Sequence, residues 1–513
     1  MALAAAIRIP LAPFEHLAEA LVDPRRRERA VLLALLCYVA LWTLYGVLAK
    51  GSQDLHFDMG ELVAWSREPA LGYPKHPPFG AWLVKAWFSV FPVTDWAYYL
   101  LAIVNATVAL WIAWMLSARF LDGEKRVAGV ALLTLVPFFN FHALTFNANT
   151  VLIPLWAATT WWFLRSFETR SPVFAALAGL AAGAAMLGKY WSIALLAGLG
   201  LAALADPRRG SYFASAAPWV TIAVGTLVLS PHVAWLVAHD FMPFGYAAGR
   251  VASADLSSTL VAVLRYVGGI AGYIAVPVVA AIVAARPGIA GIADALWPST
   301  SDRRFVAVAF WAPLLLPAAA ALAADARIVS LWTMPGMTLL PVVLMSSPLV
   351  VVSRVALVRL LAVAVAVPVA ATLAAPAVAT TIHRAGILLE ATHYRLVAGA
   401  IEQAWRATTD RPLRMVGSDS HIVNGVAPYL ADQPSTLDVF RPDRTPWADE
   451  TRVAREGIAM VCPVNEPWCV EAMEARAARG LAGRRTEVEL VRRHFGVAGK
   501  PARYLIITVP PRP

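Results

Sequence analysis

Residues 58 to 78, DMGELVAWSREPALGYPKHPP, crowd ionisable and aromatic side chains just after the first long apolar run of the chain. Asp58 and Glu61 are carboxylates that can take a proton from a hydroxyl, Lys75 and His76 can meet an anion, and Trp65 and Tyr73 offer flat faces for a sugar ring. An ordinary polar loop is the competing reading. Lys189, in LGKYWS, sits between two apolar runs, where an ammonium must pair with an anion, line a wet cavity or snorkel. In HDFMPFGYAAGR, His239 and Asp240 precede Phe241, Phe244 and Tyr246, which could hold an apolar chain while Arg250 takes a phosphate; a helix-end cap accounts for the HD pair equally simply. Asn147 and Asn149 in FNANT suit either a helix cap or a site, and Asp325 with Arg327 reads as a mutual surface ion pair.

The elements that must carry these residues are membrane spans. With 59% hydrophobic and 15% charged residues in 513, the chain is too apolar for a soluble protein. Runs near 30–49, 96–118, 127–145, 149–165, 173–188, 190–205, 216–237, 260–285, 305–323, 328–351 and 355–378 give about eleven spans. A cytoplasmic N-terminus places Arg25, Arg26, Arg27, Arg29, Arg119, Arg208, Arg209, Arg303 and Arg304 in inner loops, as the positive-inside rule asks. The net charge of +10 then follows from topology, and nucleic acid binding is not needed to explain it. In this orientation Asp58, His76, Asn149, Lys189, His239, Asp240 and Arg250 share the outer face, as one candidate cavity.

Three regions are expected: a cytoplasmic or interfacial segment at 1–29, a transmembrane domain at 30–379, and an outer α/β domain at 380–513. Residues 3–21 suit an interfacial helix or a disordered tail. In the outer domain 413–417, 457–462 and 503–509 read as strands, and 385–407 and 468–480 as helices. Cys462 and Cys469, seven apart in CPVNEPWC, would pair in an oxidising periplasm. No set of metal ligands is assigned, and divalent-metal dependence is left open.

These residues resemble the first outer loop of bacterial glycosyltransferase family 39, the phospholipid-carrier-dependent transferases related to protein mannosyltransferases and lipid A aminoarabinose transferases. Asp58, Trp65, Ser66, Gly72, Tyr73, His76, Pro77 and Pro78 match the loop pattern, and LGKYWS, SPHVAWLVAHDFMPFGY and LWTMPG follow in the family's order. The resemblance covers roughly residues 30 to 350. It implies a GT-C fold, and transfer of a sugar from a polyprenyl phosphate to a cell-envelope acceptor at the periplasmic face of a bacterial inner membrane. Asp58 would be the general base, Lys189 and Arg250 phosphate ligands, and His76 would position phosphate or donor; Trp65 and Tyr73 would shape the sugar pocket, and Asn149, His239 and Asp240 would also contact substrate. Two positions depart from the family: Asn149 replaces its second acid, and Met59 replaces the usual Glu after the first Asp. An amide can orient a hydroxyl but cannot act as a base.

No P-loop or GxGxxG opens a soluble helix, which suits a lipid-linked donor better than a nucleotide sugar. A transporter or flippase of a lipid-linked glycan is the reading from another class, and would spread ionisable groups through mid-span. A scaffold weakened by Asn149 is the third.

Overall fold

The computed structural model describes residues 11–252, 255–386, 393–477 and 483–512. Among the described residues six helices are long and apolar enough to cross a membrane: Arg27–Ala49, Asp95–Ser117, Ala217–Ala238, Leu256–Ala285, Ser301–Ala323 and Arg354–Ala385. The other expected runs fold into shorter or less apolar segments: Gly123–Leu133, Leu152–Thr169, Pro172–Gly188, Ile193–Ala205, and a 3-10 turn Ser330–Leu339 running into Leu340–Met345. Asp95–Ser117 is the central post, with Tyr98, Ala102, Ala106 and Ala113 fully buried. Ala217–Ala238 and Leu256–Ala285 instead present Trp219, Leu227 and Leu264 outward, which only lipid can cover without cost. Small residues let neighbours close in: a Cβ on Gly179 would stand 2.5 Å from the Thr221 carbonyl, and one on Gly183 would stand 2.8 Å from Val228.

Among the described residues after the bundle are seven strands, β1 (Met415–Ser418), β2 (Ser435–Asp438), β3 (Ile458–Pro463), β4 (Arg484–Leu490), β5 (Arg493–His494), β6 (Val497–Ala498) and β7 (Ala502–Val509); two further hydrophobic clusters cover the faces of the main sheet, and β5 pairs with β6 in a separate ribbon. The main sheet runs β2-β1-β3-β7-β4, with β1 parallel to β2 and β3, and β7 antiparallel to β3 and β4. β3 is buried on both faces: Ala459 and Val461 meet Ile401 and Val397 of helix Tyr394–Arg406, while Ile458, Met460 and Cys462 join Met473 of helix Pro467–Ala477. Cys462 and Cys469 form a disulfide across that second face, with Cα atoms 5.8 Å apart. The expected strands near 413, 457 and 503 are β1, β3 and β7, whereas β2, β4, β5 and β6 lie outside the expected strands. Helix Ala12–Val22 occupies part of the expected 3–21 segment; positions 3–10, 387–392 and 478–480 of the expected helices lie outside the described residues.

This sheet domain is anchored to the bundle through the loop after the first span. Asp54, 4% exposed, takes the Arg492 guanidinium at 2.6 Å and the Arg395 backbone N–H at 3.1 Å. Arg395 also pairs with Asp95 at 2.7 Å, and Arg67 donates to the carbonyls of Ala427 and Pro434. Gly60 makes the closest approach: a Cβ there would lie 2.1 Å from the Asn424 carbonyl oxygen, so helix Ser420–Val426 rests directly on helix Phe57–Arg67.

Candidate active site

The loop expected at 58–78 begins as a helix, Phe57–Arg67. His56 caps it by accepting the Asp58 N–H at its Nδ1, and it stops two residues before Pro69. Helical spacing puts Asp58, Glu61 and Trp65 on one face, and all three line a cavity of about 690 Å³ between bundle and sheet domain. His76, Lys189 and Arg250 line the same cavity.

The polar wall on the bundle side is a connected chain. Asn147 donates from its Nδ2 to the Asp58 carboxylate at 3.3 Å, and its Oδ1 accepts the Asn149 N–H at 2.9 Å. Lys189 in turn donates to Asn149 Oδ1 at 2.6 Å, and its ammonium lies 4.9 Å from the Trp332 ring centroid. Lys189 therefore pairs with an amide and lines the cavity, which answers the three alternatives posed for it. The three segments FNANT, LGKYWS and LWTMPG meet at this one ammonium. Lys75 bonds both oxygens of buried Glu61, at 2.9 and 3.0 Å; burial works against its ammonium, but the charges of Glu61, Tyr246 and Asp58 together with the bond to Glu61 outweigh that and raise its pKa. His76 is driven well below the usual histidine range by burial and by the charges of Lys189 and Lys75, so its imidazole is neutral.

Not every expected residue reaches the cavity. Tyr73, 1% exposed, lies behind the wall: its ring stacks on Trp65 at 4.8 Å and its hydroxyl lies 2.9 Å from the carbonyls of Trp65 and Glu68, so it braces Trp65 from the far side. Asn149 acts through Lys189 and is not part of the lining. His239 and Asp240 are also outside it. His239 ends helix Ala217–Ala238, stacked on Trp235 at 4.2 Å with its Nδ1 on the Trp235 carbonyl, and the positive φ of 50° at Asp240 turns the chain. The expected Asp325–Arg327 ion pair is absent among the described residues; Asp325 accepts from Thr259, and the Arg327 N–H bonds the Val251 carbonyl.

The histidine of that region that positions the site is His232, which passes for core in the sequence. It is 2% exposed, with Nδ1 2.6 Å from the Leu71 carbonyl and Nε2 2.8 Å from the Tyr190 hydroxyl, so a neutral ring donates to one and accepts from the other. It ties the 71–78 turn to the lysine segment. A second omission is larger: His421, Asn424, Asp438, Arg444 and Thr445, all from the sheet domain, complete the cavity. His421 stacks on Phe57 at 4.2 Å, beside Asp58 in the chain. They lie more than 340 positions from Asp58 and carry no motif, so nothing local in the sequence links them to it. Among the described residues no group of three His, Cys, Asp or Glu side chains comes together to hold a metal ion.

Bundle, cavity and sheet domain together define a membrane-embedded helical protein with a site at the junction of its two domains, and comparison with known proteins finds similar chains. Residues 75–235 match the family described as dolichyl-phosphate-mannose-protein mannosyltransferase. The chain is 29% identical over 245 residues to the lipopolysaccharide core galacturonosyltransferase RgtB of Rhizobium johnstonii, covering 46% of this chain and 48% of that one. It is 26% identical over 215 residues to the lipid A galacturonosyltransferase RgtD of the same organism, covering 41% and 44%. The chain thus spans about half the length of the curated relatives it matches. Its fold is that of ArnT from Cupriavidus metallidurans, solved bound to undecaprenyl phosphate: TM-score 0.60 over 93% of this chain and 97% of that one, at 13% identity. The apo form of that protein gives 0.59 at 14% identity. The family match over residues 75–235, the two glycosyltransferase relatives and the shared fold all lie in the direction of the resemblance drawn from the sequence.

Proposed function

We propose that this protein transfers a sugar from a polyprenyl-phosphate donor to a cell-envelope acceptor at the periplasmic face of the inner membrane. The observation that carries this reading is the juxtaposition of one carboxylate, Asp58, with Lys189 and Arg250 around a single cavity roofed by the sheet domain. In the proposed reaction the acceptor hydroxyl attacks the anomeric carbon in line, the bond from that carbon to the phosphate oxygen breaks, and Asp58 receives the hydroxyl proton. Lys189 and Arg250 stabilise the polyprenyl phosphate that leaves, and neutral His76 offers it a hydrogen bond. Trp65, braced by Tyr73, supplies the face for the sugar, and Asn149 aims the lysine. Inversion at the anomeric carbon follows from in-line attack.

In this reading residues 30–379 form the catalytic membrane domain and 380–513 a periplasmic domain, with the N-terminus in the cytoplasm. The names of the two curated relatives make a hexuronic acid the first donor sugar to test. Nothing in the cavity favours transport over transfer. Purified protein incubated with labelled polyprenyl phosphate sugars and envelope acceptors should yield labelled acceptor and free polyprenyl phosphate. Translocation of intact carrier with no transfer would replace this reading with the flippase. An active cytoplasmic reporter fused to the C-terminus, with a silent periplasmic one, would invert the topology.

A further inference from the structure

The sheet domain meets the cavity with one particular edge. β1 and β2 are parallel, β1 is central to β2 and β3, and the chain leaves β1 for one side and returns past it to the other. Ligands of open α/β sheets bind beyond the carboxyl ends of strands at such a reversal. Of the two strands that flank the reversal, β1 has its carboxyl end on the cavity, through His421; the other lining residues come from its parallel neighbour β2, which Asp438 ends and which Arg444 and Thr445 follow.

The turn after β2, DVFRPDRT at 438–445, is internally satisfied except for one cation. The Asp438 carboxylate accepts the N–H groups of Phe440 and Arg441, both at 3.0 Å, and the Asp438 N–H reaches the Thr445 hydroxyl at 3.2 Å. Arg441 is neutralised by Asp443 through two bonds of 2.9 and 2.8 Å. Arg444 has no carboxylate within 4 Å among the described residues; its guanidinium lies 5.8 Å from the Tyr246 ring centroid, within the cavity wall. A half-buried guanidinium on a hydrogen-bonded turn, lining a cavity beyond the carboxyl end of a parallel strand, is placed to meet an anion. In the transfer proposed above Lys189 and Arg250 on the bundle take the carrier phosphate, which leaves Arg444 for a second anion.

We propose that Arg444 is a specificity residue that binds a carboxylate on a substrate sugar, so that the sheet domain reads the sugar while the bundle holds the phosphate. This rests on the lipid-linked transfer proposed above. The test uses the full chain in lipid nanodiscs and two probes, polyprenyl phosphate carrying a hexuronate and the same carrier bearing the matching neutral hexose. Binding of each is measured without acceptor, and transfer is then measured to acceptor sugars with and without a carboxylate.

Wild type should prefer the charged partner by about 10- to 100-fold, Arg444→Gln should lose that preference while keeping its affinity for the neutral carrier, and Arg444→Lys should recover part of it. Arg441→Gln, in the same turn, should leave it unchanged. Preference lost in donor binding assigns the carboxylate to the donor, and preference lost only between acceptors assigns it to the acceptor. Equal weakening towards charged and neutral partners, or an Arg444→Gln protein that discriminates like wild type, overturns the proposal. Because binding is read separately, a protein that binds selectively but transfers nothing would refute the transfer reading and leave the assignment of Arg444 standing.

Discussion

On the bundle side of the cavity, Asp58, Asn147, Asn149 and Lys189 hold one another through side chains drawn from three separate segments, whereas on the sheet-domain side a single turn satisfies its own backbone and leaves Arg444 over. The first wall is a set of charges fixed relative to one another, as a reaction demands, because a carboxylate and an ammonium must keep their spacing while charge moves between acceptor and leaving group. In the proposed reading a wall for chemistry and a wall for selection meet across one space, joined by the close approach of Gly60 to Asn424.

The sharpest way to break this comparison is at Asp58. Asp58→Asn keeps the shape and the contact with Asn147 but removes the proton acceptor, so single-turnover transfer should fall by about two to four orders of magnitude with donor affinity largely kept. Transfer at the wild-type rate would take Asp58 out of the mechanism. Lys189→Ala should fail differently: loss of a charge-assisted contact should weaken donor binding by about 1.5 to 3 kcal/mol and slow transfer as well. Donor affinity measured on both variants separates the two roles, and a Lys189→Ala protein with unchanged donor affinity would leave the ammonium a structural partner of Asn149.

The junction between the walls is the next target. A side chain at position 60 has no room in the docked structure, so Gly60→Val should push the sheet domain off helix Phe57–Arg67 and cost about 1 to 3 kcal/mol of stability. Transfer should fall although no charged group of the cavity has changed. Limited proteolysis checks it: the domain should be released sooner from the variant, and an unchanged digestion pattern with unchanged melting would mean the close approach carries no docking.

What the sequence disclosed follows the same division. The spans were legible because lipid demands continuous apolar runs whatever the neighbours, and Lys189 stood out because an ammonium between two such runs has few explanations. The helical start of the 58–78 loop was not foreseen, although its Asp58, Glu61 and Trp65 share a face at helical spacing. The sheet-domain wall was illegible because its contacts with Asp58 are made only by folding across most of the chain. Polar character misled at one point: exposed-looking His239 and Asp240 drew notice, while the positioning histidine, His232, is buried and looks like core. β2 is only four residues long and gives little signal, whereas in β4 Thr486, Val488 and Leu490 alternate with charged side chains, the period-two pattern of a half-buried strand, so β4 was legible in the sequence.

The smallest expected effect is a pH dependence that tells the two walls apart. His76, in the turn between them, has its pKa depressed in the folded protein by burial and by Lys189 and Lys75. An unfolded histidine titrates near 6.5, so between that value and the lower folded pKa the unfolded chain binds more protons than the folded one. The contribution of His76 to stability is therefore fully present above about pH 6.5 and is lost as pH falls below it towards the folded pKa. Other buried histidines add to the same slope, so the measurement is a difference: melting temperature against pH from 5 to 8 for wild type and His76→Gln. The variant should lose less stability than wild type below about pH 6.5 and run parallel to it above. Donor binding in the same range should show no step at 6.5 in wild type, because the imidazole is already neutral there. A step at that pH, absent from His76→Gln, would mean that the phosphate meets an imidazolium, and His76 would then belong with Lys189 and Arg250 among the cations of the bundle wall.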